Sequence, residues 1–487
     1  MTRPLSRRDL FRRASGAALG AAAVTALGGP AAFAGTGGVD GPLAPGDPWS
    51  RATWIKAQVR GPRFASRWFD VTAYGAVGDG STMNTDAFRD AIRACNAAGG
   101  GHVIVPTGSF LTGPIHLLSN VDLHVTDGAR VLFSQDPDDY LPVVLTRFEG
   151  VEVLNYSPLI YAFEQQNIGV TGTGILDGQA DNAHWWPWCG SSRFGWKPGD
   201  PSARSGVLNQ MAEDGVPVEQ RVFGDGGYLR PSFIEPYRCS NVVISDVTIV
   251  NSPMWELHPT LSDHVLVEGV KINSHGPNND GCDPESSRMV VIRDCTFDTG
   301  DDCIAIKAGK NADGRRVHVP SEDILIEDCL MKDGHGGVTI GSEMTGGVRN
   351  VFTQNCQMSS PNLNIALRFK TNSLRGGYIH GVHARNIDVG QVGQAVIDIN
   401  FYYGEGPGYG FPPAVGDINV SNLTVGTAQR GLNISGYPDD HINGIRLTDV
   451  DFGTTSRPDV VEYVDGLVLD NVVENGQPLT TAAISAA

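Results

Sequence analysis

Basic residues are scarce in this sequence. Lys and Arg number 36 among 487 residues, against 54 Asp and Glu, for a formal charge of −18. A chain this acidic has no general electrostatic grip on nucleic acid or an anionic membrane, so neither is expected as a partner. Long apolar runs are also lacking. Past residue 34 none approaches the ~20 residues a membrane helix needs, and a soluble body is expected. Eight cysteines are too few to scaffold a chain of this size by disulfides. The 61 Gly and 29 Pro follow no G-X-Y period, so they mark turns and not collagen. What is there is 41% hydrophobic and 18% charged, a globular composition. Yet 487 residues exceed one ordinary core, which leaves several domains or one elongated repeat.

The first 34 residues read as an export signal. A basic start precedes an Ala/Gly/Val/Leu run that ends in Ala32-Phe33-Ala34, with cleavage expected after Ala34. Ser6-Arg7-Arg8-Asp9-Leu10-Phe11 resembles the twin-arginine signal with Leu and Phe in swapped order. The alternative is an ordinary secretory signal with a chance arginine pair. Either implies a secreted protein. Removing the segment leaves 31 bases against 53 acids, a net −22. Residues 35–64 then read as an N-terminal linker.

A repeat fills most of the rest. NVVISDVTI (241–249), HVLVEGVKI (264–272), MVVIRDCTF (289–297), DILIEDCLM (323–331) and NVFTQNCQM (350–358) share an Asn/Asp-then-apolar step, and the series continues to VDGLVLDNVV (464–473). The aligned residues are Val247, Val270, Cys295, Cys329, Cys356, Ile387, Leu423, Val450 and Val472. Within each unit apolar and polar residues alternate at strand period. Short strands repeated every 22 to 36 residues fit an all-β, right-handed parallel β-helix over 65–475, with a tail at 476–487. One coil cannot bury its inner face, whereas stacked coils make a continuous core. Three cysteines in one column read as apolar filling sooner than as a metal site. Upstream, Phe88, Ala91, Ile92 and Cys95 fall at helical spacing after a possible N-cap, Thr85, and predict a short N-terminal capping helix. Residues 179–235, with Trp185, Trp186, Trp188 and Trp196, break the rhythm as a long insertion.

Chemistry-bearing residues gather between strands on consecutive coils. Asp280 lies in Asn278-Asn279-Asp280-Gly281-Cys282-Asp283, Asp301 and Asp302 in Gly300-Asp301-Asp302, His335 in Gly334-His335-Gly336, and Arg368 and Lys370 in Arg368-Phe369-Lys370. Asp301 and His335 each lie six residues past their ladder cysteine, so they are expected to stack at the ~4.8 Å strand spacing. Matching Cys282 to Cys303 brings Asp280 level with Asp301. Arg368 and Lys370, two apart, share the outward face. Three clustered carboxylates repel, so at least one should hold a proton near neutrality, as acid/base hydrolysis of a glycosidic bond requires. The same acids also suit a turn or a Ca²⁺ ion.

These four blocks, in this order, resemble those of glycoside hydrolase family 28, the polygalacturonase family. Asn279 stands where the family usually has Thr, and Phe369 where it has Ile. The resemblance spans roughly residues 65–475 and implies a pectic polysaccharide or oligogalacturonide substrate and no metal; no other cofactor is expected, and a monomer is the expected state although the sequence does not fix it. Carried over, it makes Asp301 the general acid and gives Asp280 and Asp302 the attacking water, with inversion at the anomeric carbon. His335 would tune Asp301 or contact the sugar. Arg368 and Lys370 would bind a galacturonate carboxylate. Tyr403 matches the family's substrate tyrosine, with Tyr402 a close competitor, and Lys307 is a further candidate cation. The wording PNNDGCDPESS and GSEMTGGVRN resembles bacterial exo-acting members. The insertion would either close one end of the groove or simply pack on the solenoid. Trp255 would floor a subsite or pack in a turn. A Ca²⁺-dependent pectate lyase and a non-catalytic carbohydrate-binding solenoid are the rival expectations.

Overall fold

A computed structural model describes residues 47–482. The expected export signal lies outside the described residues. So do residues 35–46 of the expected linker and 483–487 of the expected tail; the described residues are built on a right-handed parallel β-helix. One coil runs through Arg288–Arg293, Thr296–Thr299 and Ile304–Ile306. The next repeats it with Ser321–Glu327, Leu330–Met331 and Gly334–Gly341, and the next with Val348–Gln354, Gln357–Ser359 and Leu363–Lys370. Coils pair in parallel register: Val290↔Ile324↔Val351, Phe297↔Met331↔Met358 and Ile304↔Val338↔Leu367. The first two strands of each coil join one large sheet. From Ile304–Ile306 onward the third strands form a separate six-stranded sheet.

The Asn/Asp-then-apolar step is the corner between the first two strands. Asp246, Asp294, Asp328, Asn355, Asn386, Asn422, Asp449 and Asn471 all have φ between 50° and 63°, and Gly269 takes the same place at 67°. Asn, Asp and Gly tolerate the left-handed region best, which explains their recurrence there. The residue after each corner turns inward, and the whole column from Val247 to Val472 is at most 3% exposed. Cys295, Cys329 and Cys356 are part of it, and all eight cysteines are free thiols. Each fully buried aliphatic residue in such a stack is worth about 1.5–3 kcal/mol.

A first helix, α1 (Trp49–Gln58), corrects the expectation of a linker over 35–64. Its Ala52 and Ile55 bury against Val291, Leu325 and Phe352 on the outer face of the large sheet. The apolar outward residues of those strands need a cover, and α1 supplies it. The second helix, α2 (Thr85–Ala97), caps the core as expected, burying Phe88, Ala91, Ile92 and Cys95. Its N-cap is Asn84 and not Thr85, whose hydroxyl instead accepts from Gly113 N at 2.7 Å. The insertion ends before Ile234–Tyr237, already a solenoid strand paired with Ile160–Phe163. An antiparallel hairpin, Val144–Phe148 with Val151–Asn155, also leaves the solenoid rhythm and was not foreseen. At the other end Gln477–Pro478 pairs back on Val473–Glu474, so the expected tail begins as a strand. Among the described residues no helix is long and apolar enough to cross a membrane.

Candidate active site

The four blocks converge because they occupy the same corner of successive coils. Ile304 pairs with Val338, which brings Asp301 level with His335, and Nδ1 of His335 lies 2.9 Å from Oδ1 of Asp301. Cys282 bridges to Ile304 and not to Cys303, so Asp280 is level with Asp302. The expected alignment with Asp301 was therefore one residue out. Facing oxygens of Asp280, Asp301 and Asp302 all lie within 4.8 Å of one another. Leu367 and Phe369 fill the core while Arg368 and Lys370 point outward, as the alternation predicted.

Burial separates the carboxylates. Asp302 has no exposed surface; Lys370 Nζ donates to its Oδ2 at 2.7 Å and Arg368 to its Oδ1 at 3.2 Å. Burial alone would raise its pKa, but Lys370, Arg368 and Lys307 outweigh that and hold it well below the usual carboxylate range. Asp280 goes the other way. Burial first, then the charge of Asp301, push it well above that range, against the pull of Lys307. Its Oδ1 is buried without a partner. Asp301 keeps 18% of its side chain exposed, and His335 45%. The hydrogen bond to Asp301 raises the histidine's pKa against a smaller opposing effect of burial. Gly336 is required locally, since a Cβ there would sit 2.8 Å from Asp302 Oδ1.

Tyr403 is at the site and Tyr402 is not. The Tyr403 ring centre lies 5.6 Å from the Arg368 guanidinium carbon and 5.2 Å from Lys370 Nζ. Tyr402 turns away, 42% exposed, with its ring edge-on to Tyr437. Lys307 is not a free cation. Only 3% exposed, it lies 3.6 Å from Asp280, 3.6 Å from Asp283 and 3.3 Å from Glu343, with its ammonium 4.6 Å from the centre of the Trp255 ring. Trp255 is itself 3% exposed, so it packs and floors no open subsite. Asn279 is a strap: its side chain accepts from Ser274 Oγ and Gly276 N and donates to the carbonyls of Ser252 and Met254.

Arg230, Glu149 and Arg147 escaped sequence reading because they sit in the insertion and the hairpin, outside the repeat. Arg230, at the end of the insertion, is buried and donates to the carbonyls of Pro253 and Pro277 and to Asn278 Oδ1. Trp186 donates to Ser252 O at 2.9 Å and presses on Gly276, where a Cβ would meet its ring at 2.3 Å. From the hairpin tip, Glu149 pairs with Lys310 at 3.2 Å. Farther in, Arg147 pairs with Glu285, and His258 sits between Glu285 and Glu235. Asp283 is fully buried with neither oxygen hydrogen-bonded, and burial together with Asp280 pushes its pKa up. Only its place in the Asn279-Asp280-Gly281-Cys282-Asp283 run signalled it.

Two groups have metal-compatible spacing among the described residues. In Asp280/Asp301/Asp302, two protein cations already balance the buried Asp302. In His275/Asp298/Asp333, the histidine already bonds Asp298 at 3.1 Å, and Asp333 accepts from Ser360 and Asn362. The arrangement therefore offers one accessible carboxyl paired with a histidine, one buried carboxylate held ionised, and a third carboxyl biased toward its neutral form.

The family model for glycosyl hydrolases family 28 matches residues 223–451, which hold all of these blocks. A probable polygalacturonase of Vitis vinifera is 29% identical over 392 residues, 77% of this chain and 72% of its own length. An exo-poly-alpha-D-galacturonosidase of Dickeya chrysanthemi is 27% identical over 383 residues, 73% of this chain and 62% of its own. The crystal structure of a hyperthermoactive exopolygalacturonase from Thermotoga maritima superposes with a TM-score of 0.85 at 46% identity, covering 88% of this chain and 96% of that one.

Proposed function

Because the chain belongs to glycosyl hydrolases family 28 and is a glycoside hydrolase, we propose that it cleaves α-1,4-galacturonosyl bonds of polygalacturonate from the chain end, with inversion. The observation that carries this reading is the split among three adjacent carboxyls: Asp301 reachable and bonded to His335, Asp302 buried and bound by Lys370 and Arg368. Asp301 donates a proton to the leaving oxygen. Asp302, ionised, accepts a proton from the attacking water, and Asp280 orients that water. Inversion is favoured because both Asp302 oxygens are engaged and buried, so this carboxylate acts through a water and not by bonding to the sugar. The carboxyls lie closer than inverting pairs usually do, about 6.5–9.5 Å, so the product anomer is a direct test. Arg368, Lys370 and Tyr403 hold the galacturonate unit, the cations by charge-assisted hydrogen bonds.

For attack from the end, the insertion and the hairpin reach coils beside the catalytic corner, with Trp186 against Gly276 and Glu149 against Lys310. The 46% identical Thermotoga maritima structure is described as an exopolygalacturonase. Export by the twin-arginine route, on the strength of Arg7-Arg8, belongs to the same reading. The test is a time course on polygalacturonate, with products separated by size and the first anomer read by proton NMR. Monomer or dimer alone from the first minutes, in the β-form, is expected. A ladder of oligomers overturns exo attack, an α-product overturns inversion, and unsaturated ultraviolet-absorbing ends overturn hydrolysis. Loss of export of a reporter fused to residues 1–34, when Arg7 and Arg8 become Lys, tests the route.

A further inference from the structure

The net charge of −18 makes one stretch of this chain anomalous. From Trp49 to Phe69 there are five cations, Arg51, Lys56, Arg60, Arg63 and Arg67, and no Asp or Glu. Two of the five dock α1 on the solenoid: Arg51 on Asp323 and Lys56 on Glu327, both at 2.6 Å. The other three have no ion-pair partner among the described residues. Arg60 donates to the carbonyl of Ala57, and Arg67 to those of Gly99 and Gly100, which leaves their charge uncompensated. All three are exposed.

The strip they form is fixed to the body. Past α1 the chain runs without regular structure along the outer face of the large sheet. Gly61 lies over Val243 and Leu266, and the Phe64 ring over Gly169, where a Cβ would meet it at 2.9 Å. At about 3.3 Å per residue, extended chain spaces successive arginines by roughly 10 Å. At its end stands Trp68, 63% exposed on a strand that pairs on one side only, with His102 opposite it. The Trp68 ring stacks on His102 at 4.6 Å and 19°, and Asp122 fixes that histidine at 2.7 Å. His124 approaches the indole edge-on, and Phe64 approaches His102. A large aromatic left mostly in water but held rigidly is poised for stacking at little entropic cost.

We propose that Arg60, Arg63 and Trp68 form a second binding strip for the carboxylate-bearing polysaccharide, separate from the catalytic corner. This inference rests on the substrate class proposed above. Guanidinium groups take sugar carboxylates by charge-assisted hydrogen bonds, and the indole takes the apolar face of a sugar ring. Such a strip answers a physical need. An acidic body repels a polyanion, and at the catalytic corner Arg368 and Lys370 are already committed in part to Asp302. Because Arg368 and Lys370 lie on the six-stranded sheet and the strip lies on the large one, a polymer held here leaves the groove free for a chain end.

The test uses the full chain with Asp301→Asn, so that polymer is not consumed, in saturating digalacturonate to fill the catalytic corner. Retention on immobilised polygalacturonate is compared with that of the same protein carrying Arg60→Ser, Arg63→Ser and Trp68→Ser. A loss of about tenfold in affinity is expected, with an unchanged melting temperature. In the active background the triple variant should keep its kcat/KM on trigalacturonate and raise KM only on polymer. Equal retention overturns the strip, as does a matching loss by the triple variant on dextran sulfate or duplex DNA, which would mark a generic anion surface. Failure of the substrate reading looks different: the unmodified active protein would then leave trigalacturonate and polygalacturonate uncut whatever the strip binds.

Discussion

Lys370 Nζ lies 2.7 Å from Oδ2 of Asp302, a carboxylate with no exposed surface. Neither charge is tolerable there alone. Removing one partner of such a buried pair costs about 3–5 kcal/mol, because the other is left uncompensated. Lys370→Met should therefore lower the melting temperature and, by letting Asp302 take up a proton, also lower kcat. Lys370→Arg should recover more stability than activity, since a planar fork replaces a point charge. A Met variant with ordinary stability and kcat would show that Asp302 is not the ionised member.

Nδ1 of His335 lies 2.9 Å from Oδ1 of Asp301. Asp301→Asn should reduce kcat by about 10²–10⁴, the usual contribution of a positioned general acid, with circular dichroism unchanged. His335 titrates above its ordinary value because Asp301 accepts its hydrogen bond. Below that raised pKa His335 carries its second ring proton, and above it that proton is lost. His335→Gln should thus move the alkaline limb of the kcat profile to lower pH. A limb that stays in place would assign it to another group.

His258 supplies a stability test away from the groove. Burial disfavours its charge, but Glu235 and Glu285 outweigh burial and push its pKa up to about 9. A pKa raised on folding stabilises fully below the unfolded value near 6.5, and the contribution is lost as pH rises through about 9. The window is about 2.5 pH units, or of the order of 3 kcal/mol. Unfolding in guanidinium at pH 6 and pH 9.5 should show that loss, and His258→Gln should flatten it.

Gly276→Ala probes the insertion. A Cβ there meets the Trp186 ring at 2.3 Å and Asn279 Oδ1 at 2.7 Å. Overpacking of this kind costs about 1–3 kcal/mol. The tryptophan should be displaced and the strap beside Asp280 disturbed, so that kcat/KM falls on short and long substrates alike. Unchanged kinetics would mean that the insertion does not support the catalytic corner.

The repeat was legible because its physics is local. Alternation sets which residues face inward, and Asn or Asp at each corner satisfies a left-handed φ, so the column from Val247 to Val472 could be aligned by eye. The same reasoning placed Arg368 and Lys370 outward and brought Asp301 to His335. It slipped by one residue at Asp280, where counting from a cysteine missed the true partner of Cys282, Ile304. A linker was expected where α1 lies, because α1 has little amphipathic pattern of its own and is held by the sheet it covers.

The sequence by itself determined the solenoid, its capping helix and the blocks that gather at the candidate site, since each depends on residues close in the chain or repeated at one coil's length. Only the tertiary structure decided which acids burial and neighbouring cations push up or down, and that Lys307 is enclosed among Asp280, Asp283 and Glu343. It placed Tyr403 beside Arg368 and Lys370 and turned Tyr402 away, and it brought Trp186 against Gly276 and Glu149 against Lys310. Those outcomes depend on burial and on distances between residues tens to hundreds of positions apart. Desolvation and Coulomb terms have no meaning along a one-dimensional chain until the coils are stacked.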